Sequence, residues 1–94
     1  MLSTLENWYA GQCNGEWEHS WGVEISTLDN PGWSVTIDLR DTRKQGASLP
    51  RTLIERTEHD WIDYRAIDNG FEIRCGPKNL SEAIGLFEEW FDSN

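Results

Sequence analysis

Basic residues are scarce in this chain. Eight Lys and Arg stand against 17 Asp and Glu over 94 residues, a formal net charge of −9 at pH 7. No basic run exceeds Arg43-Lys44. Nucleic-acid binders draw much of their affinity from Lys and Arg that neutralise phosphates, so no nucleic acid and no anionic membrane surface is expected as a partner. Long apolar runs are also missing. Hydrophobic residues make up 37% of the chain, the mean hydropathy is −0.66, and no stretch approaches the roughly 18 residues of a membrane span. Met1 to Gln12 carries Glu6 where a secretion signal would have a basic segment, which makes the cytoplasm the expected location. Cysteine is rare: Cys13 and Cys75 belong to no CxxC pair, and without a secretion signal they read as buried free thiols rather than a staple. Cys13 and His19 lack the second ligand pair that a zinc site needs, and neither metal nor cofactor is expected. The length suits one domain over residues 1–94.

What is present is a clear alternation of patterns. Ser3 to Gln12 has helical spacing, with Ser3 and Glu6 arranged as a capping box. Trp21 to Ser26 and Trp33 to Arg40 alternate with period two, apolar at the odd positions. Pro31-Gly32 marks the turn between them. Burying both apolar sets on one face requires odd to meet odd: Thr27 opposite Trp33, Ile25 opposite Val35, Val23 opposite Ile37 and Trp21 opposite Leu39, around a loop of about five residues. Asp41 to Ser48 reads as an exposed polar loop, flexible around Gly46. Pro50 excludes a central strand at that point. Arg51 to Arg56 is a weak strand candidate and Trp61 to Ile67 a better one, followed by a tight Asp68-Asn69-Gly70 turn into the alternating Phe71 to Cys75.

After Gly76-Pro77, Asn79 is placed to cap a helix from about Leu80 to Phe91 or Asp92. Its Leu80, Ala83, Ile84, Phe87, Trp90 and Phe91 form one apolar stripe. The expected fold is α+β: a single antiparallel sheet of four or five strands, flanked by an N-terminal and a C-terminal helix packed on one face. Trp21, Val23, Ile25, Trp33, Val35, Ile37 and Leu39 should line the covered face under Leu80, Ile84, Phe87 and Phe91. The six tryptophans are expected to supply much of the core.

Chemistry concentrates in Cys13-Asn14-Gly15-Glu16-Trp17-Glu18-His19, which holds a thiol, two carboxylates and an imidazole. A small hydrolase could use Glu16, Glu18 and His19 as acid and base, yet no nucleophile elbow, phosphate loop or Gly-rich helix start accompanies them. His59 lies apart, in a polar run, and His19 with Glu24 has the wrong spacing for a metal pair. The same residues read as a recognition surface. With the odd-numbered positions covered, Glu18, Ser20, Glu24, Thr36 and Asp38 would share the opposite face, with Glu16, Asp29 and Asn30 near the ends of the hairpin. That face would be flat, anionic and rich in hydrogen-bonding groups. The plain alternatives are an ordinary solvated sheet face or a structural subunit of a larger complex.

Trp8-Tyr9, Gln12 to His19, Gly22 to Ile25 and Thr27 to Trp33, with Gly76-Pro77, Asn79-Leu80 and Phe87 to Trp90, together resemble the immunity protein 53 family. The likeness covers nearly the whole chain apart from about Asp41 to Asp60, and departs from the usual pattern at Asn14 and Cys75, where an acidic residue and a glycine are common. The resemblance implies a bacterial immunity protein of a polymorphic toxin system, not an enzyme, whose partner is a cognate protein toxin domain. On that reading Glu16, Glu18, His19, Glu24, Asp29, Asn30 and Asp38 are the candidate toxin-binding residues. Charge adds that a nuclease with a basic substrate surface would attract such an inhibitor.

Overall fold

The computed structural model describes residues 2–93; Met1 and Asn94, the ends of the expected 1–94 domain, lie outside them. Helix α1 (Leu2–Gln12) and the single-turn α2 (Trp17–Ser20) precede five strands: β1 (Val23–Leu28), β2 (Gly32–Asp38), β3 (Leu49–Thr57), β4 (Asp60–Ile67) and β5 (Gly70–Cys75). Helix α3 (Leu80–Asp92) closes the chain. The strands form one antiparallel sheet in the order β1-β2-β5-β4-β3. The architecture is the expected α+β one.

The β1–β2 register follows from parity. Val23 faces Ile37, Ile25 faces Val35 and Thr27 faces Trp33, because any one-residue slip would turn one apolar set into water. Pairing extends to Leu28 and Gly32, so the turn is the three residues Asp29 to Pro31 rather than five. Close approach demands the glycine: a Cβ on Gly32 would lie 2.2 Å from the Cys75 carbonyl oxygen. Trp21 and Leu39 fall outside both strands. Trp21 instead donates its Nε1–H to Asp41 Oδ2 at 3.2 Å, beneath the Arg40 guanidinium. The β4–β5 hairpin turns on Asp68 and Asn69, both left-handed at φ 52° and 62°, a conformation these two side chains tolerate.

One face of the sheet carries the core. Val35, Ile37, Phe71, Ile73, Cys75, Ile62 and Ala66 are buried against Ala83, Ile84, Phe87 and Phe91 of α3. Helix α1 leans on α3 through Trp8, whose ring meets Phe87 and Phe91 edge-on at 5.1 and 5.3 Å. Of the tryptophans only Trp17 is buried; the others are half-buried around a core of Phe, Ile, Val and Leu. Ile25 also departs from expectation: it is 39% exposed, because β1 is the sheet's edge and the helices lie over its centre. Leu80 is half-buried at the end of the stripe.

Three local expectations change. Helix α1 already includes Leu2, so Ser3 is its second residue and not its cap. Cys13 is exposed, its thiol donating to the Tyr9 carbonyl, and only Cys75 is buried. Burial pushes the Cys75 thiol up to about 11. The Asp41 to Ser48 loop is polar as read, but it is tied down. Arg43 donates to the Phe91 carbonyl and lies over the Phe91 ring, Lys44 lies over Trp90, and Asn69 Oδ1 accepts from the Gly46 N–H at 2.8 Å. Two cations thus meet the negative end of α3. The weak candidate at Arg51 to Arg56 is the longest strand, β3, with Pro50 on the sheet's outer edge, where a missing N–H breaks no ladder.

Candidate functional site

With the helices on the odd-numbered side, the opposite face of the sheet is bare. Register sets its rows. Ser26, Ser34, Arg74, Asp63 and Leu53 lie side by side across all five strands, and Glu24, Thr36, Glu72 and Arg65 form the next row. The two halves differ in charge. Towards β1 the face carries Glu24 and Asp38 among the hydroxyls of Ser26, Ser34 and Thr36. Towards β3 it carries an arginine lattice: Arg51 grips Asp63 with two nitrogens at 3.0 and 2.8 Å, and Arg65 Nε meets Glu72 at 2.9 Å. The Arg74 side chain stands between them with no hydrogen bond or ion pair to another described residue. The face is therefore acidic only at its β1–β2 end, not throughout as expected.

The candidate residues separate into three places. Glu24 and Asp38 flank Thr36 in one shallow depression of about 210 Å³ that also includes Ser20 and Trp21. Asp38 Oδ1 accepts from the Arg40 N–H at 3.0 Å; Glu24 is exposed and its carboxylate binds no other described residue. Asp29 and Asn30 sit at the far end of the hairpin, about 17 Å away at the usual rise per residue. Glu16, Glu18 and His19 belong to α2 and its approach, so Glu18 and Ser20 do not share the even-numbered sheet face with Glu24, Thr36 and Asp38.

That segment folds on its own side chains. Asn14 Oδ1 accepts from the N–H groups of Glu16 and Trp17 at 3.0 and 2.9 Å. The Glu18 carboxylate accepts from those of Asn14 and Gly15 at 3.0 and 2.9 Å. Gly15 needs its positive φ of 92° to make the bend. Its own backbone N–H first, with those of Asn14 and Gly15 and the charge of His19, holds the Glu18 carboxyl below the usual range against the opposing effect of burial. A general acid needs the reverse shift. The Cys13 thiol is directed at the Tyr9 carbonyl, not at an imidazole. Among the described residues no cluster of His, Cys, Asp and Glu is placed to hold a metal ion. What the arrangement offers chemically is acceptors in set positions.

A second network escaped the sequence. At the opposite end of the sheet, Arg56 bridges Asp60 at 2.9 Å and Glu82 at 2.6 Å. The buried Asn79 donates to Asp60 at 2.9 Å and accepts from the Trp61 N–H at 3.3 Å. Arg56, Asp60, Asn79 and Glu82, with Pro31, His59, Pro77 and Lys78, line an open groove of about 660 Å³. Asn79 precedes α3 as expected of a cap, but its side chain joins the helix to β4 instead of capping it. Arg56 and Glu82 are 26 positions apart, and no local pattern relates them.

The immunity protein 53 family model matches residues 2–92. The chain belongs to that family. No curated protein and no solved structure matches. Membership makes this an immunity protein by family, a role that implies binding of a cognate toxin and points to an inhibitor rather than an enzyme. None of the helices among the described residues of this family member is long and apolar enough to cross a membrane.

Proposed function

We propose that this immunity protein works in the bacterial cytoplasm as part of a polymorphic toxin system. It neutralises a cognate toxin by seating the acidic end of its bare sheet face on a basic, phosphate-reading surface, such as that of a nuclease. The observation that carries the reading is the placing of Glu24 and Asp38 in one depression, among hydroxyls and on a face no helix covers. The net charge of −9 supports it. Carboxylates so placed mimic the charge of a nucleic-acid backbone, and a surface of one sign speeds encounter with its opposite.

The test is association with the toxin domain encoded beside this gene, measured at two ionic strengths. Glu16→Lys with Glu24→Lys is the informative variant, since neither carboxylate hydrogen-bonds a described residue. Glu18 is left intact because its carboxylate holds the α2 segment together. Steering falls as the Debye length shrinks from about 10 Å at 0.1 M to about 3 Å at 1 M. The variant should associate roughly 10-fold more slowly at low salt and show a weaker salt dependence. Rates identical to wild type would place the toxin elsewhere on the molecule and leave the acidity to solubility.

A further inference from the structure

The two edges of the sheet are not alike. Strand β3 is a protected edge: Pro50 has no N–H, Arg51 and Arg56 flank the run, and its register with β4 is interrupted twice, between Leu49 and Thr52 and between Glu55 and Thr57. These features keep other strands away. Strand β1 has none of them. Val23 to Leu28 pairs with β2 in unbroken register and contains no proline, lysine or arginine.

The outward groups of β1 follow from its ladder. The Asp38 N–H donates to the Gly22 carbonyl at 3.0 Å, which makes Gly22 and Asp38 a hydrogen-bonded pair. Such pairs alternate along an antiparallel ladder, so Glu24, Ser26 and Leu28 turn their N–H and C=O groups to β2. Val23, Ile25 and Thr27 then turn theirs outward. All three are β-branched, the residues best suited to strand pairing. On the helix side of this edge Ile25 is the exposed large apolar side chain; on the bare side stands Glu24.

We infer that β1 receives a strand of the toxin domain, which extends the sheet by pairing with the outward backbone groups of Val23, Ile25 and Thr27. The incoming strand carries Lys or Arg where it meets Glu24 and an apolar residue where it covers Ile25. Main-chain bonds of this kind supply affinity, and the alternate side chains supply selectivity. Charge selects the occupant: a second copy would bring another −9 and another Glu24 to the same edge. The inference rests on the reading that the partner is a basic toxin, and locates where it docks.

Hydrogen exchange on the wild-type chain, alone and with the toxin domain encoded beside its gene, tests this directly. The amides of Val23, Ile25 and Thr27 should exchange freely in the chain alone and at least about 10-fold more slowly in the complex. Ile25→Pro deletes one outward donor without touching the bonds to β2 and should weaken binding roughly 10-fold or more. Ile25→Thr keeps the N–H and should bind more tightly than the proline variant, and protection of the Ser26 amide reports whether the hairpin survives in each. A complex in which the three amides stay as exposed as in the free chain would overturn edge docking but not the toxin-inhibitor reading. Failure of the wild-type chain to bind the toxin would overturn both. Protection already present in the chain alone, with a dimer's sedimentation, would make the occupant a second copy and overturn the inference.

Discussion

Trp17 is the aromatic residue on which the α2 segment depends. It is 2% exposed, its Nε1–H donates to the Arg40 carbonyl at 2.8 Å, and its ring meets Trp8 and Tyr9, each with centroids 5.9 Å away. Truncation would leave both a void and an unpaired carbonyl. Trp17→Ala should cost about 3–5 kcal/mol in urea denaturation. The alternation places Trp33 on the covered face as well, where a buried ring would carry a similar cost. Trp33 is half-buried at the end of β2, with its Nε1–H on the Pro77 carbonyl, so Trp33→Ala should cost less than Trp17→Ala in the same assay. Composition announces six tryptophans alike. Only their neighbours in space separate the core residue from those at its rim.

At the scale of elements, the start of α3 is joined to β4 by a side chain that a helix-cap reading assigns elsewhere. Asn79 lies where a cap residue belongs, and its carbonyl accepts the Ala83 N–H at 2.9 Å, while its amide satisfies the Trp61 N–H and binds Asp60. The close packing there also requires Gly76, where a Cβ would come within 2.4 Å of the His59 carbonyl oxygen. Asn79→Ala should destabilise the fold by about 1–3 kcal/mol, the range for leaving a buried donor unpaired. Arg56→Ala removes the exposed bridges to Asp60 and Glu82 and should cost less, because water replaces such pairs readily. Denaturant midpoints of the two variants, measured side by side, check the order.

For the molecule as a whole, acid is the informative stress. The carboxyls of Glu18, Asp60 and Glu82 are all held below their ordinary values of 4.5, 3.8 and 4.5. The leading causes are backbone N–H bonds at Glu18, the Asn79 amide at Asp60 and the Arg56 guanidinium at Glu82. A carboxyl whose pKa is lower folded than unfolded stabilises the fold above the unfolded value. That contribution fades as pH falls through the folded one. The urea midpoint should thus be steady above about pH 5 and fall below about pH 4. Glu18→Gln should lower the midpoint at pH 7 and flatten the fall on acidification. A parallel acid profile for that variant would show that the Glu18 carboxylate does not act as an ionised acceptor.

Much of the framework was legible because it rests on short-range pattern. Parity, with the Pro31-Gly32 turn setting the offset, gives the pairs Val23–Ile37, Ile25–Val35 and Thr27–Trp33, since one slipped residue would reverse a strand's faces. The α3 stripe and the Asp68-Asn69 turn are equally local, and the spaced Trp, Gly and polar residues of the first third mark the family. Tertiary structure alone decided the rest. Strand β5 pairs with both β2 and β4 and so fills the centre of the sheet, while no described strand pairs with the outer side of β1, which leaves Ile25 uncovered. The same alternating sequence inside the sheet would have been buried. Position within a sheet depends on which distant strands pair, and no periodicity within one strand records that. The split of the bare face into an acidic end and an arginine lattice has the same origin, because Arg51, Arg65 and Arg74 come from three strands that only the completed sheet brings side by side. Glu18 shows the limit at the smallest scale: its spacing suited a strand face, but the bonds from Asn14 and Gly15 turned the segment into a helical turn and its carboxylate into a structural acceptor.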